Sequence, residues 1–233
     1  MRSISTIFIT LLAVLYFAGC GQQGEQAIEE ITAAHPDHAG AVFENDYVKA
    51  VEFTLEPGEK LPLHKGGPRA VYALSDYKIK WNEGGQVTEK EWKTGDAHWH
   101  GAIEHAVENI GDTPARYLVV TRTETALPGT GDYDLSRDAS QLDSEHSEVV
   151  FENEHVRIIE VMLGAGESQH MHEGINRLIY SLTGYRLNYS SDQMDTKETE
   201  MEAGEAHWHT ADAHAVENIG ETPAHYLIFE FMN

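Results

Sequence analysis

From Val42 onwards the chain is written in short runs that alternate apolar with polar residues. YVKAVEFTL, RAVYALSDYKIKW and ARYLVVTR are rich in β-branched and aromatic side chains, and Gly, Pro, Asn and Asp clusters separate them. This is the signature of strands and tight turns. The NEGG stretch after Trp81 predicts a hairpin turn. No stretch of this region sustains a helical apolar period, so the pattern predicts an all-β protein. The longest apolar run lies elsewhere, from Ile7 to Ala18, behind the single charge of Arg2. It is short for a membrane span and has the length of a signal-peptide core, which predicts residues 1–19 as a removed leader.

The strand pattern occurs twice. VFENDYVKAVEFTLEPGEKLPLHKGGPRAVYALSDYKIKW starts at Val42, and VFENEHVRIIEVMLGAGESQHMHEGINRLIYSLTGYRLNY starts at Val150. The copies stay in register until Gly95 and Gly204, where the second gains one residue. Each unit is about 80 residues, too long for a solenoid period and long enough for its own small core. Two small all-β units are therefore expected at 41–122 and 150–233, packed against each other. The polar stretch 123–149, with Gly, Pro and Asp, reads as a linker or surface strap. Residues 20–40 read as a polar tether, with a short helix around Glu25–Ala34.

Composition narrows the partners. The net charge is −23, and loss of Arg2 with the leader makes it more negative. Such a surface repels nucleic acid and anionic headgroups. Cys20 is the only cysteine, so no intramolecular disulfide can form. The sequence contains no Ser-His-Asp spacing, no phosphate-cradling Gly loop and no aromatic–basic stripe. A small-molecule ligand is the expected partner, and self-association is left open.

Two resemblances follow from particular residues. FAGC, ending at Cys20, resembles the lipobox of bacterial lipoproteins, with Phe17 where Leu is usual. It implies lipidation of Cys20 and a cell-envelope location. Gly21 in place of Asp points, by the same resemblance, to the outer membrane of a diderm. The repeated unit resembles the cupins. In the second copy Gly164 is followed after five residues by His170 and His172, and Gly204 opens a second motif in which His214 stands three residues before Asn218. In the first copy Gly95, His105 and Asn109 match that second motif. The resemblance covers both copies and implies two tandem jelly-roll β-barrels, a bicupin. It also implies a divalent transition metal (Fe, Zn, Mn, Ni or Cu) held by motif-one histidines, a glutamate and the motif-two histidine, with dioxygenase or isomerase chemistry common. The chain departs from that pattern. The glutamate position falls on Asn176 or Arg177, Glu173 should face away from His172, and Pro62 replaces the first histidine in copy one, leaving His64. The Pro-x-Gly of motif two is missing from both copies.

Strand alternation is expected to put His170 and His172 on one face, with His214 reaching them from a neighbouring strand. Three imidazoles with an open position can hold a metal; the alternative is a hydrogen-bonded polar interior. One metal per chain, in the second barrel, is the expectation. The twice-written AHWH leaves two readings. Either Trp99 and Trp208 point into the barrels, which their size favours, or His98 and His100 (with His64 and His105) and His207 and His209 (with His172 and His214) do. Arg69 and Arg177 are equivalent residues that either bind a carboxylate ligand or pair with a surface acid. Asn109 and Asn218 should cap turns, and Tyr72 and Tyr180 should be core. The function expected is an envelope-anchored bicupin that binds a metal in barrel 2 and acts on or binds a small molecule. The alternative is a non-catalytic binding or sensing lipoprotein without metal. Whether the chain is an enzyme is left open.

Overall fold

The structure is a computed structural model that describes residues 38–131 and 135–232. The leader, Cys20 and nearly all of the tether lie outside the described residues.

The first barrel is built from β1 (Ala39–Glu44), β2 (Val48–Leu55), β3 (Lys60–Gly66), β4 (Arg69–Ala73), β5 (Tyr77–Glu83), β6 (Gln86–Trp92), β7 (Ala97–His100), β8 (Ile103–Asn109) and β9 (Ala115–Arg122). The second repeats it with β10 (Ser147–Glu152), β11 (Val156–Leu163), β12 (Ser168–Gly174), β13 (Arg177–Ser181), β14 (Tyr185–Ser191), β15 (Met194–Met201), β16 (Ala206–His209), β17 (Asp212–Asn218) and β18 (Ala224–Phe231). Each is a jelly-roll-like pair of antiparallel sheets. One is five-stranded (β1-β2-β9-β4-β7, or β10-β11-β18-β13-β16) and the other four-stranded (β3-β8-β5-β6, or β12-β17-β14-β15). Each barrel starts slightly before its repeat, at Ala39 and Ser147, because these edge residues pair through backbone that carries no sequence signature.

Turn chemistry follows the sequence. The β5–β6 hairpin closes on Gly84 and Gly85, both at positive φ (56° and 83°), which suits the twist of the flanking strands. Asn109 and Asn218 are fully buried turn caps. Asn109 donates from Nδ2 to the carbonyls of Leu55 and Thr113 and accepts from the Gly111 amide; Asn218 does the same with Leu163, Thr222 and Gly220.

The two five-stranded sheets pack face to face. On β2, β4 and β9, Val48, Ala50, Ala70, Tyr72, Leu118 and Val120 turn away from their own barrel and meet Val156, Ile158, Leu178, Tyr180, Leu227 and Phe229 in one apolar cluster. Intervening residues such as Val51, Val71 and Val119 fill barrel 1, and Ile159, Ile179 and Ile228 fill barrel 2. Both faces are therefore dry, and β4 and β13 are buried at every position. Tyr72 donates to Glu160, and Tyr180 to Glu52, so the two copies exchange one phenol each across the interface.

The linker is a strap. Leu127 packs on the inter-barrel cluster, Asn176 donates to the Pro128 carbonyl, and Arg137 pairs with Glu173. Buried Asp138 caps the short helix Ala139–Leu142 and, with Glu230, holds the buried Arg157 guanidinium.

Candidate functional site

Each barrel gathers imidazoles around one arginine, and the local backbone decides which ones. β12 pairs with β17 so that His172 faces His214 directly, with ring centroids 4.2 Å apart; β3 and β8 do the same with His64 and His105, also at 4.2 Å. Just before each pair the register slips, between Gln169 and His172 and between Leu61 and His64. A bulge inserts residues that break the inward–outward alternation. Gln169 and His172 consequently point inward, while His170 and Met171 are exposed. The same-face expectation for His170 and His172 does not hold, and the slip is the reason. What His170 contributes is its backbone. Its carbonyl accepts from Nδ1 of His172 at 2.7 Å, as the Pro62 carbonyl accepts from His64 at 2.8 Å. That leaves each ring's Nε2 as its one free lone pair.

Arg69 and Arg177 are buried at the barrel centres, 4% and 1% exposed, instead of pairing with surface acids. Nη2 of Arg177 donates to Tyr189 Oη (3.2 Å) and Asp212 Oδ1 (2.8 Å), and lies 3.2 Å from Nδ1 and 3.4 Å from Nε2 of His214. Nη1 donates to the carbonyls of Ile175 (3.1 Å) and Thr210 (3.4 Å). The guanidinium lies so close to β12 that a Cβ on Gly174 would sit 2.7 Å from Nη1, and a Cβ on Gly66 would meet Arg69 Nη1 in the same way. A side chain at either glycine would force the guanidinium to move. Tyr189 also donates to the second oxygen of Asp212.

The imidazoles are neutral. Burial, then the charge of Arg177, lowers His214 and His209 to about 3, and burial does the same to His207, at about 4. In barrel 1 burial is again the first cause, taking His98, His100 and His105 to about 4, 3 and 2. Burial works to raise Asp212, but hydrogen bonds from His214 and Tyr189 and the Arg177 charge outweigh it and keep the carboxylate ionised.

AHWH resolves in favour of inward histidines. His100 pairs across from Arg69 and His209 from Arg177, on the interior face. The tryptophans are half-buried, but between the barrels: Trp208 stacks on Tyr47 and Phe231, and Trp99 on His155. Size predicted apolar packing correctly but not which of two dry faces would take the ring.

The interiors differ in room. Barrel 1 retains a cavity of about 50 Å³, because Trp81 stacks on His100 and His105 and Trp92 stacks on His98. In barrel 2 Tyr189 and Met201 occupy the Trp81 and Trp92 places, and the cavity is about 330 Å³. Ile179, Leu187, Val216 and Ile228 form its apolar wall, while His209, His214, Tyr189 and Lys197 bring polar groups to it.

The metal implied by the cupin resemblance does not fit these residues. Among the described residues no group of three or more His, Cys, Asp or Glu side chains is placed to hold an ion. A neutral imidazole has one lone pair. His214 lies 3.1 Å from Asp212 through Nδ1, and Arg177 Nη2 sits over its ring, 3.2 and 3.4 Å from the two nitrogens, so a fixed cation already stands against this imidazole. Asp212, Tyr189, Gln169 and the two glycines escaped sequence reasoning. The available signal was a Gly-x-x-Arg spacing common to GGPR and GINR.

Comparison with known proteins agrees with the fold. No protein-family model matches the sequence, and no curated relative matches it. Solved structures do. A tryptophan-to-tyrosine form of Bacillus subtilis oxalate decarboxylase superposes with a TM-score of 0.60 at 15% identity, covering 83% of this chain and 72% of that one. The same enzyme at pH 4.6 gives 0.59 at 15% identity, over 80% and 68%. A cupin 2 conserved barrel domain protein from Leptotrichia buccalis gives 0.49 at 15% identity, over 83% and 88%. The chain has two tandem cupin-like domains and is structurally similar to oxalate decarboxylase; at this identity the likeness concerns the fold.

Proposed function

We propose that this chain is a small-molecule-binding bicupin of the cell envelope, tethered through Cys20, whose second barrel takes an uncharged ligand with an apolar body and a hydrogen-bonding head. The observation that carries the reading is Arg177. It stands with Asn176 where the cupin resemblance places a glutamate ligand, is nearly inaccessible, and sets its charge against the His214 ring. Asp212 balances its charge, and the other charge on the lining, that of Lys197, is exposed to solvent. The 330 Å³ cavity lies within the range of small-ligand pockets, and its mix of an apolar wall with a few converging polar groups suits a phenol- or enol-like head.

The test uses the mature chain purified without a histidine tag. Metal analysis should find less than one-tenth of an equivalent of transition metal. Phenol, used as a probe, should give saturation-transfer NMR signals with the wild type and lose them with Tyr189→Trp, which restores the bulk found in barrel 1. Stoichiometric metal in the wild type, lost in both His172→Ala and His214→Ala, would overturn the reading and restore a metal centre in barrel 2.

A further inference from the structure

The two barrels bury the same arginine in different electrostatic company. In barrel 2, Asp212 pairs across from Gly174 at the start of β17 and holds Arg177 as an ion pair. In barrel 1 the residue across from Gly66 is Ile103. The carboxylate is thus replaced by an alkyl group while the arginine stays. Arg69 Nη1 donates to the carbonyls of Gly67 (3.0 Å) and Gly101 (3.5 Å), and Nη2 meets His105 (3.2 Å to Nε2). All of these partners are neutral. Among the described residues no carboxylate forms an ion pair with Arg69.

A buried guanidinium without a counter-ion is costly, since it cannot shed its charge as lysine or histidine would. Neighbouring rings make the deficit worse to satisfy: His64, His98, His100 and His105 surround the same cavity, and none supplies negative charge. The N–H of His64 is spent on the Pro62 carbonyl, but His98 and His100 can donate. Nδ1 of His98 is buried with no hydrogen-bond partner. The cavity beside Arg69 holds about 50 Å³, several times what one water needs and too little for a drug-sized molecule.

We propose that barrel 1 is a binding site for a small monovalent oxyanion of formate or nitrate size, with Arg69 as its charge partner and His98 and His100 as hydrogen-bond donors. Such an anion is planar and presents two oxygens to the fork of a guanidinium. It supplies in trans the charge that Asp212 supplies in cis to barrel 2. This site is separate from the barrel 2 cavity and stands whether or not that cavity takes a neutral ligand.

Thermal unfolding of the mature chain in sodium formate tests this against sodium gluconate of equal concentration, whose anion is too large for the cavity. Gluconate controls for the screening that a chain this acidic gains from any salt. With a Kd of about 1 mM, about 100 mM formate should raise Tm by roughly 5–10 °C beyond gluconate. Ile103→Asp, which copies the barrel 2 arrangement, should be more stable than wild type in gluconate and lose the formate-specific shift. Arg69→Met should lose the shift too, and it removes the unpaired charge, so it reports even if Ile103→Asp misfolds. Equal shifts in formate and gluconate for wild type, or an undiminished formate shift in Arg69→Met, would overturn the proposal. Loss of phenol binding in barrel 2 bears only on the proposed function.

Discussion

Six histidines buried as neutral rings should make this protein acid-labile well above the range in which carboxylates titrate. His98, His100, His105, His207, His209 and His214 have folded pKa values of about 4, 3, 2, 4, 3 and 3, with burial the leading cause in each. Their unfolded value is about 6.5. A depressed folded pKa means that the unfolded chain binds the proton first, so the stability is present above pH 6.5 and is lost as pH falls below it. Each ring withdraws about 1.4 kcal/mol per pH unit once well below that point. Together the six remove about 5 kcal/mol between pH 7.5 and 6, and about 8 kcal/mol by pH 5.5. A domain has about 5–15 kcal/mol in total. His146, raised beside Asp143, works in the opposite direction. The Asp212 carboxylate, held ionised, loses its contribution only below about pH 4, outside this window. The assay is urea unfolding followed by tryptophan fluorescence from pH 7.5 to 5.5. The expected result is a midpoint that falls steeply below pH 6.5 and a protein largely unfolded near pH 5.5. Replacing both His98 and His207 by Gln should reduce the loss between pH 7.5 and 5.5 by about 2.7 kcal/mol, from about 8 to about 5. These two are chosen because Nδ1 of each is already unpartnered. A wild-type stability that stays flat across the window, or a slope unchanged in the double variant, would refute the neutral-ring account.

Four further outcomes follow from contacts already described. Asp212→Ala should destabilise by about 3–5 kcal/mol, because it strands Arg177 as an uncompensated buried charge, and chemical denaturation reads this directly. Gly174→Ala should lower stability by about 1–3 kcal/mol, since the new methyl would meet the Arg177 guanidinium; Gly40→Ala, with open space at its Cβ, serves as the control. Asn218→Ala should lose about 1–3 kcal/mol by leaving the Leu163 and Thr222 carbonyls without their donor, checked by the denaturation midpoint. Cys20→Ser in the full precursor should accumulate uncleaved chain or release the protein from membranes; unchanged partitioning into detergent would show that Cys20 is not the anchor.

Period-two alternation and the exact repeat made the strands, the two barrels and the Asn-capped turns legible, because each depends on local pattern alone. The interior was only partly legible, for three separable reasons. Alternation assumes an unbroken ladder, and the slip at Gln169–His172 turned His170 outward with no sequence mark beyond a poor match to either face. The tryptophans of AHWH were assigned by size to a barrel core, but the five-stranded sheets are dry on both sides, so size could not choose between faces. The arginines were weighed as surface residues because a buried arginine is rare. What reversed that prior is the Cβ-free path along Gly66 and Gly174, a spatial relation that spacing hints at and only coordinates establish.

The duplication also shows where divergence was free to act. The exchange of phenols between Tyr72 and Glu160 and between Tyr180 and Glu52 needs both copies to keep the same residues, since each half completes the other. No such reciprocity binds the interiors, whose cavity linings share no residue. There the copies differ at paired places: Trp81 against Tyr189, Trp92 against Met201, Leu61 against Gln169, Ile103 against Asp212. The first two set volume, and the last two set polarity and charge. A change that opens one barrel therefore leaves the other's lining untouched, and substitutions in the two interiors should add in stability to within about 0.5 kcal/mol. Tyr72→Phe and Tyr180→Phe, which act on one interface, need not. Measuring the four single variants Tyr189→Trp, Ile103→Asp, Tyr72→Phe and Tyr180→Phe with the two within-class doubles separates these cases. Strong coupling between Tyr189→Trp and Ile103→Asp would show that the interiors communicate through the shared sheets, and would count against treating the barrels as independent binding sites.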